Sequence, residues 1–192
     1  MKFLIVILGV CFSSSLIAAD VHFYVGAGYD LGGEKVLELD NNSGANAKLY
    51  AGQGANLAVG TDIDLSQDVM LRGTVGYKVA AITANDGDAV LGRIPLEFTG
   101  YKFFGAHGIG GGIASQTGIK LAVEPDGGGR STFDADNTSG VIVEYLYRSR
   151  RADSNKGFSI GLRGVFGHEY EFDGNPDKFS ANSLGVNLGM TL

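Results

Sequence analysis

Three histidines, His22, His107 and His168, are the chain's only imidazoles and the only candidates for a hydrolytic base. Nucleophilic catalysis needs a serine within reach of such a base and a carboxylate to orient it. No histidine here lies two residues from a serine. His168 is followed by Glu169, but neighbours on an extended strand point to opposite faces, so the two side chains diverge. Alternation puts His168 on the apolar exterior, near a rim. The sequence therefore predicts no enzyme. "DGNPD" (Asp173–Asp177) opens like a calcium loop, yet Lys178 stands where the loop needs glycine and Leu184 where it needs glutamate. "GIGGGIAS" (residues 108–115) lacks the Lys-Ser/Thr of a phosphate loop and the βαβ setting of a dinucleotide site. Neither a metal nor a cofactor is expected. The basic stretch "YRSRRADSNKG", with Arg148, Arg150, Arg151 and Lys156, reads as a solvated turn that could touch anionic headgroups or peptidoglycan.

A second set of charged residues is more informative. Asp62, Asp64, Arg72, Lys78, Arg93, Glu97, Glu144, Arg163 and Glu169 all fall opposite an apolar face in segments of period-two alternation. Their signs nearly balance. If that face is enclosed, lone charges would cost several kcal/mol each and must pair or stay hydrated. The sequence therefore predicts a network of ion pairs filling an interior, with a polar conduction path as the alternative.

The elements that would position these charges are strands. In "VHFYVGAGYDL", Val21, Phe23, Val25, Ala27, Tyr29 and Leu31 oppose His22, Tyr24, Gly26, Gly28 and Asp30. "NLAVGTDIDL", "VMLRGTVGYKVAAI", "RIPLEFTGY", "HGIGGGIASQTGIKLAV", "SGVIVEYLY", "FSIGLRGVFGHEY" and "NSLGVNLGMTL" repeat the pattern, which makes eight strands. In the fifth, Ile109, Ile113, Ile119 and Leu121 are placed on one face, with Gln116 and Lys120 on the other. Pro95 marks a possible bulge. Connections at 66–68, 102–106 and 149–156 are short or moderate; those near 32–48, 83–92, 123–138 and 170–181 read as long polar loops. The loop acids Asp134, Asp136, Glu171, Asp173 and Asp177 could bridge loosely to lipopolysaccharide through divalent cations.

Composition narrows the class. "MKFLIVILGVCFSSSLIAAD" has a positive start, an apolar run too short to span a bilayer and a small-residue exit, so residues 1–19 read as a cleaved signal and 20–192 as one mature domain. The single cysteine, Cys11, leaves with the signal, and the net charge moves from −6 to −7. An acidic chain of this kind is not built for nucleic acid. Beyond residue 19 no apolar run reaches the length of a transmembrane helix.

Alternation alone also fits a soluble ligand-binding barrel. Two features favour a membrane barrel. The apolar face carries no charge in these segments and bears Tyr29, Tyr77, Tyr145 and Tyr147 near strand ends, as an interface prefers. The polar face is rich in glycine, which a narrow lumen needs and a solvated face does not. Signal, eight alternating strands, short turns and an apolar final strand together resemble the small outer-membrane β-barrels of the OmpA, OmpX and opacity-protein type. The resemblance covers the whole mature chain. It implies a closed eight-stranded antiparallel up-and-down barrel in a Gram-negative outer membrane, in contact with lipid and lipopolysaccharide and delivered by the barrel-assembly machinery. Such proteins usually end in an aromatic residue; here Leu192 stands last, with Met190 and Leu188 behind it. The expected role is structural, or surface interaction with an extracellular ligand through long acidic loops, with a narrow porin-like channel as the alternative.

Overall fold

The computed structural model describes residues 20–40, 44, 46–150 and 156–192. The expected signal at 1–19 lies outside these, as does most of the basic turn after Arg150. Every regular element among the described residues is a strand: β1 (Asp20–Leu31), β2 (Lys35–Leu39), β3 (Ala47–Tyr50), β4 (Gly54–Ser66), β5 (Val69–Ala84), β6 (Gly87–Phe104), β7 (His107–Pro125), β8 (Ser131–Ala135), β9 (Thr138–Arg150), β10 (Gly157–Phe166), β11 (Glu169–Glu171), β12 (Lys178–Ser180) and β13 (Ser183–Thr191).

Eight of them, β1, β4, β5, β6, β7, β9, β10 and β13, form a closed antiparallel barrel. β1 closes it, pairing with β4 through Ala27↔Leu57 and with β13 through Ala27↔Leu188. The other five strands all lie at one end. β2 and β3 form a hairpin, β11 and β12 form another, and β8 adds to the upper part of β7. The barrel thus has a turn end and a loop end.

Alternation determines the faces. On β1, His22, Tyr24 and Asp30 are buried while Val21, Phe23, Val25, Tyr29 and Leu31 are exposed. On β13, Ser183 and Thr191 are buried while Leu184, Val186, Leu188 and Met190 are exposed. The polar face is the interior, the reverse of a soluble barrel.

Three expectations need correction. Residues 83–92 are not a loop: β5 and β6 run on to Ala84↔Gly87 and turn in two residues, Asn85 and Asp86. Ile119 and Leu121 do not share a face with Ile109 and Ile113. The β6–β7 register slips between Gly92↔Lys120 and Ile94↔Thr117, which inserts one extra residue into β7. Gly118 takes the positive φ of +58° that such a bulge requires. Beyond it the parity reverses, so Ile119 and Leu121 turn inward and Lys120 outward. The bulge lies across the ladder from Arg93, two residues before Pro95, which itself pairs with Gln116; on the other edge of β6 the β5–β6 pairing lapses between Val75↔Leu96 and Lys78↔Arg93. Third, Gly167, with φ of +88°, breaks the alternation of β10, so His168 is fully buried and Glu169 is exposed.

Candidate functional site

Among the described residues, the interior is the one place where charge is concentrated and enclosed. It is built in layers. Nearest the turn end, Met70, Tyr101, Phe103 and Leu146 form an apolar cluster. Arg148 lies over the Phe103 ring at 4.1 Å and donates from Nη1 to Asp64 Oδ1 at 3.0 Å. His22 Nε2 meets Asp64 Oδ2 at 3.3 Å.

The next layer is a directly opposed pair on β4 and β5, Asp62↔Arg72. Arg72 donates from Nε to Asp62 Oδ1 at 2.7 Å and from Nη2 to Oδ2 at 2.9 Å. The Thr191 hydroxyl adds a third donor to this carboxylate at 3.0 Å. The guanidinium also stacks over Tyr24, 3.7 Å from its centroid. Tyr101 donates to Glu144 Oε2 at 2.8 Å. Gly161 leaves the carboxylate its room: a Cβ there would stand 2.1 Å from Glu144 Oε1, which would have to move.

Above this, Arg163 grips Glu97 in a fork, with Nη1 at 3.1 Å from Oε2 and Nη2 on Oε1. Lys78 Nζ reaches Asp30 Oδ2 at 2.6 Å, and Asn56 donates to the same oxygen. Two cations then extend to the loop end and hold main-chain oxygens: Lys78 donates to Gly52 O at 2.8 Å and Arg93 to Gln53 O at 2.6 Å.

The loop end is closed by an apolar cap of Leu49, Ala51, Ala80, Ala89, Leu91, Ile119, Leu121, Tyr170, Phe172 and Ala181. Its residues come from the connection after β1, the upper β5–β6–β7 wall and the β11–β12 hairpin. Tyr170, fully buried, donates its hydroxyl to Gln116 Oε1. Burial pushes its pKa up to about 12. His168 beneath the cap has neither ring nitrogen hydrogen-bonded. Burial, with Lys78 as the largest charge acting on it, lowers its pKa to about 4.

Of the nine charged residues the sequence nominated for this interior, Asp62, Asp64, Arg72, Lys78, Arg93, Glu97, Glu144 and Arg163 line it. Glu169 does not; it is exposed on β11. Arg148, and Asp30 although the alternation put it on the polar face, were left out of that set. Asp30 shares the inward parity of Tyr24 and Gly26, and Arg148 continues that of Glu144 and Leu146, so alternation carries both into the interior. With them the interior holds five acids and five Lys/Arg among the described residues. The remaining histidine, His107, is exposed at the turn end, its Nδ1 2.6 Å from the Tyr145 hydroxyl. The Asp173–Asp177 segment is the turn between β11 and β12, where Asn175 Oδ1 accepts from the Asp177 N–H at 3.0 Å.

Two cavities lie among these charges. One, lined by Tyr24, Arg72, Glu97, Tyr101, Glu144 and Arg163, has a volume of about 20 Å³. The other, beside Asp30, Lys78, Pro95 and Glu97, has about 10 Å³. Each has room for about one water molecule.

No protein-family model matches the chain, and no curated protein sequence does. Solved structures do. Neisserial surface protein A superposes with a TM-score of 0.54 at 12% identity, covering 91% of this chain and 97% of that one. Ail, the attachment invasion locus protein of Yersinia pestis, solved with the heparin analogue sucrose octasulfate, gives 0.53 at 9% identity, covering 89% and 95%. The outer membrane protein AlkL, solved in lipid bilayers, gives 0.51 at 12% identity, covering 89% and 90%. At these identities the likeness is one of architecture: the chain has the fold of the small eight-stranded outer-membrane β-barrels.

Proposed function

We propose that the chain is an integral outer-membrane protein with a non-enzymatic role, a closed barrel that holds the loop end as its outward working face. The observation that carries this is the filled interior. Ion pairs occupy its middle layers, the apolar cap covers its loop end, and the two cavities between the charges have volumes of about 20 and 10 Å³. A hydrated ion needs a continuous wet path, and an eight-stranded barrel is only wide enough to be filled by side chains.

Membrane residence is supported by the exterior. Val25, Leu57, Val75, Leu96, Ile113, Val143, Leu162 and Leu188 are all at least 40% exposed, an apolar belt on every barrel strand. Strands of nine to thirteen residues, such as β13, β10 and β9, match the roughly 9–11 residues that a tilted strand needs to cross a bilayer. On this reading residues 1–19 are the export signal and the turn end faces the periplasm. Lipid and lipopolysaccharide surround the belt, and the assembly machinery reads the final strand.

Planar-bilayer recording of the refolded protein tests it. Silence from a barrel shown to be inserted by heat-modifiable gel mobility is expected. Steady discrete openings that change with Glu97→Gln would make the lumen a narrow channel and overturn the closed-barrel reading.

A further inference from the structure

The loop end carries a concave site that the lumen does not use. It is a pocket of about 220 Å³ whose lining includes Leu121, Phe133, Phe172, Asp173, Asn175 and Phe179. Pockets for drug-sized ligands run to about 300–1,000 Å³, so this one suits a small head group.

Its walls are preformed. Phe133 on β8 sits across the ladder from Leu121 on β7, yet is 40% exposed where Leu121 is 7%. Phe172 is bridged to β8 at Ala135 and packs against Phe179, centroids 6.0 Å apart and planes at 56°. The turn beside them is held by main-chain bonds, Asp173 N–H to Asp134 O and Asn175 N–H to Phe172 O, both 2.9 Å.

The chemistry of the wall selects a ligand. Phe133, 40% exposed, and half-buried Phe179 line it with rings that carry no hydroxyl, and Phe172, 5% exposed, packs behind them. Asp173 is the charged residue of this lining; the segments around it also carry Glu38, Asp134, Asp136, Glu171 and Asp177 against Lys35, Lys120 and Lys178, and Lys35 and Lys120 are already paired, with Glu38 and, at 2.9 Å, with Asp134. Asp173 has no cationic partner among the described residues. A neutral apolar ligand would use the rings and waste the carboxylate. An anion would be repelled. A cation clothed in alkyl groups uses both, since aromatic faces attract it and its desolvation is cheap. We propose that this pocket binds a small quaternary ammonium ion of choline size.

The site rests on the proposed function only for its access from outside the cell. Binding read in micelles is independent of conductance, so either proposal can fail without the other. The experiment is an NMR titration of choline against the full refolded barrel in octyl glucoside, a detergent without an ammonium head group. Saturation transfer from the protein to the choline methyls is expected. Phe133→Ala should weaken binding about fivefold, the loss of one exposed cation–π contact, whereas Phe133→Tyr, which keeps the ring, should bind like the wild type. Asp173→Asn should weaken it about threefold at low ionic strength and less at high salt. Phosphocholine, whose phosphate meets the acidic rim, should bind more weakly than choline. If dimethylbutanol, the uncharged carbon isostere of choline, binds as well as choline, the pocket is merely apolar and the proposal falls. It falls equally if choline shows no transfer, or if both weakening variants bind unchanged.

Discussion

Replacing Asp62 with asparagine removes one charge from the most fully made pair in the barrel while keeping shape and one acceptor. The Arg72 and Asp62 side chains are 7% and 0% exposed, so the guanidinium left behind cannot recover its hydration. Removing one partner of a buried pair costs about 3–5 kcal/mol, most of it the uncompensated charge. The retained amide oxygen and the Thr191 hydroxyl place Asp62→Asn near the lower end, about 3 kcal/mol, or about two powers of ten in the folding equilibrium. Stacking on Tyr24 does not offset this, because it is present with or without the carboxylate. Replacing both residues, Asp62→Leu with Arg72→Met, removes the orphan charge and should recover most of the loss. The assay is urea unfolding in vesicles, read by gel mobility for the two single variants, the double variant and the wild type. A loss below about 1 kcal/mol for Asp62→Asn, with no coupling in the cycle, would show that water reaches this layer and that the pairs do not seal it.

Acid should loosen the cap through His168. Its pKa of about 4 in the folded protein, against 6.5 free, means the folded state favours the neutral ring. This stabilisation is complete above pH 6.5 and is lost as pH falls toward 4. Near pH 4.5 the wild type should therefore lose about 2–3 kcal/mol that His168→Gln does not lose, read as the difference between their urea midpoints at pH 7.5 and 4.5; equal losses would refute the assignment. Gly161→Ala should destabilise by about 1–3 kcal/mol, since the new methyl group would stand 2.1 Å from Glu144 Oε1; an unchanged melting profile would mean the Tyr101–Glu144 layer is loose. Leu91→Ala, at a fully buried cap position, should cost about 2–5 kcal/mol and speed proteolysis of the loop end before the barrel unfolds; uniform resistance would show that the cap is not a packed unit.

Much of this architecture was legible because strand alternation has a period of two and a barrel has two faces. A single assignment of faces therefore sorted eight charged residues into the interior at once. Two of the three misreadings share a cause: a glycine at positive φ resets the phase without changing composition. Gly118 turned Ile119 and Leu121 inward, and Gly167 did the same for His168, while both sequences still read as unbroken strand. The polar run at 83–92 looked like a loop, yet its residues are ladder-paired, Thr83↔Asp88 among them, because this wall stands above the belt and polar outward side chains suit it. Pairing was the other hidden quantity. Arg163 lies opposite Glu144 in the β9–β10 register but spends its guanidinium on Glu97. In a narrow lumen the far wall is as near as the next strand, and only three dimensions show which partner wins.

The anchoring of the loop end bears on how such a surface can change over time. Lys78 and Arg93 grip the carbonyl oxygens of Gly52 and Gln53, not their side chains. Every residue type has a carbonyl, so substitutions beyond that point leave the grip intact. At Gln53 the hold is indifferent to the side chain, though not at Gly52, where a Cβ would stand 2.5 Å from Asn182 O, so the exposed side chains of the loop end can drift while the frame beneath keeps the same shape.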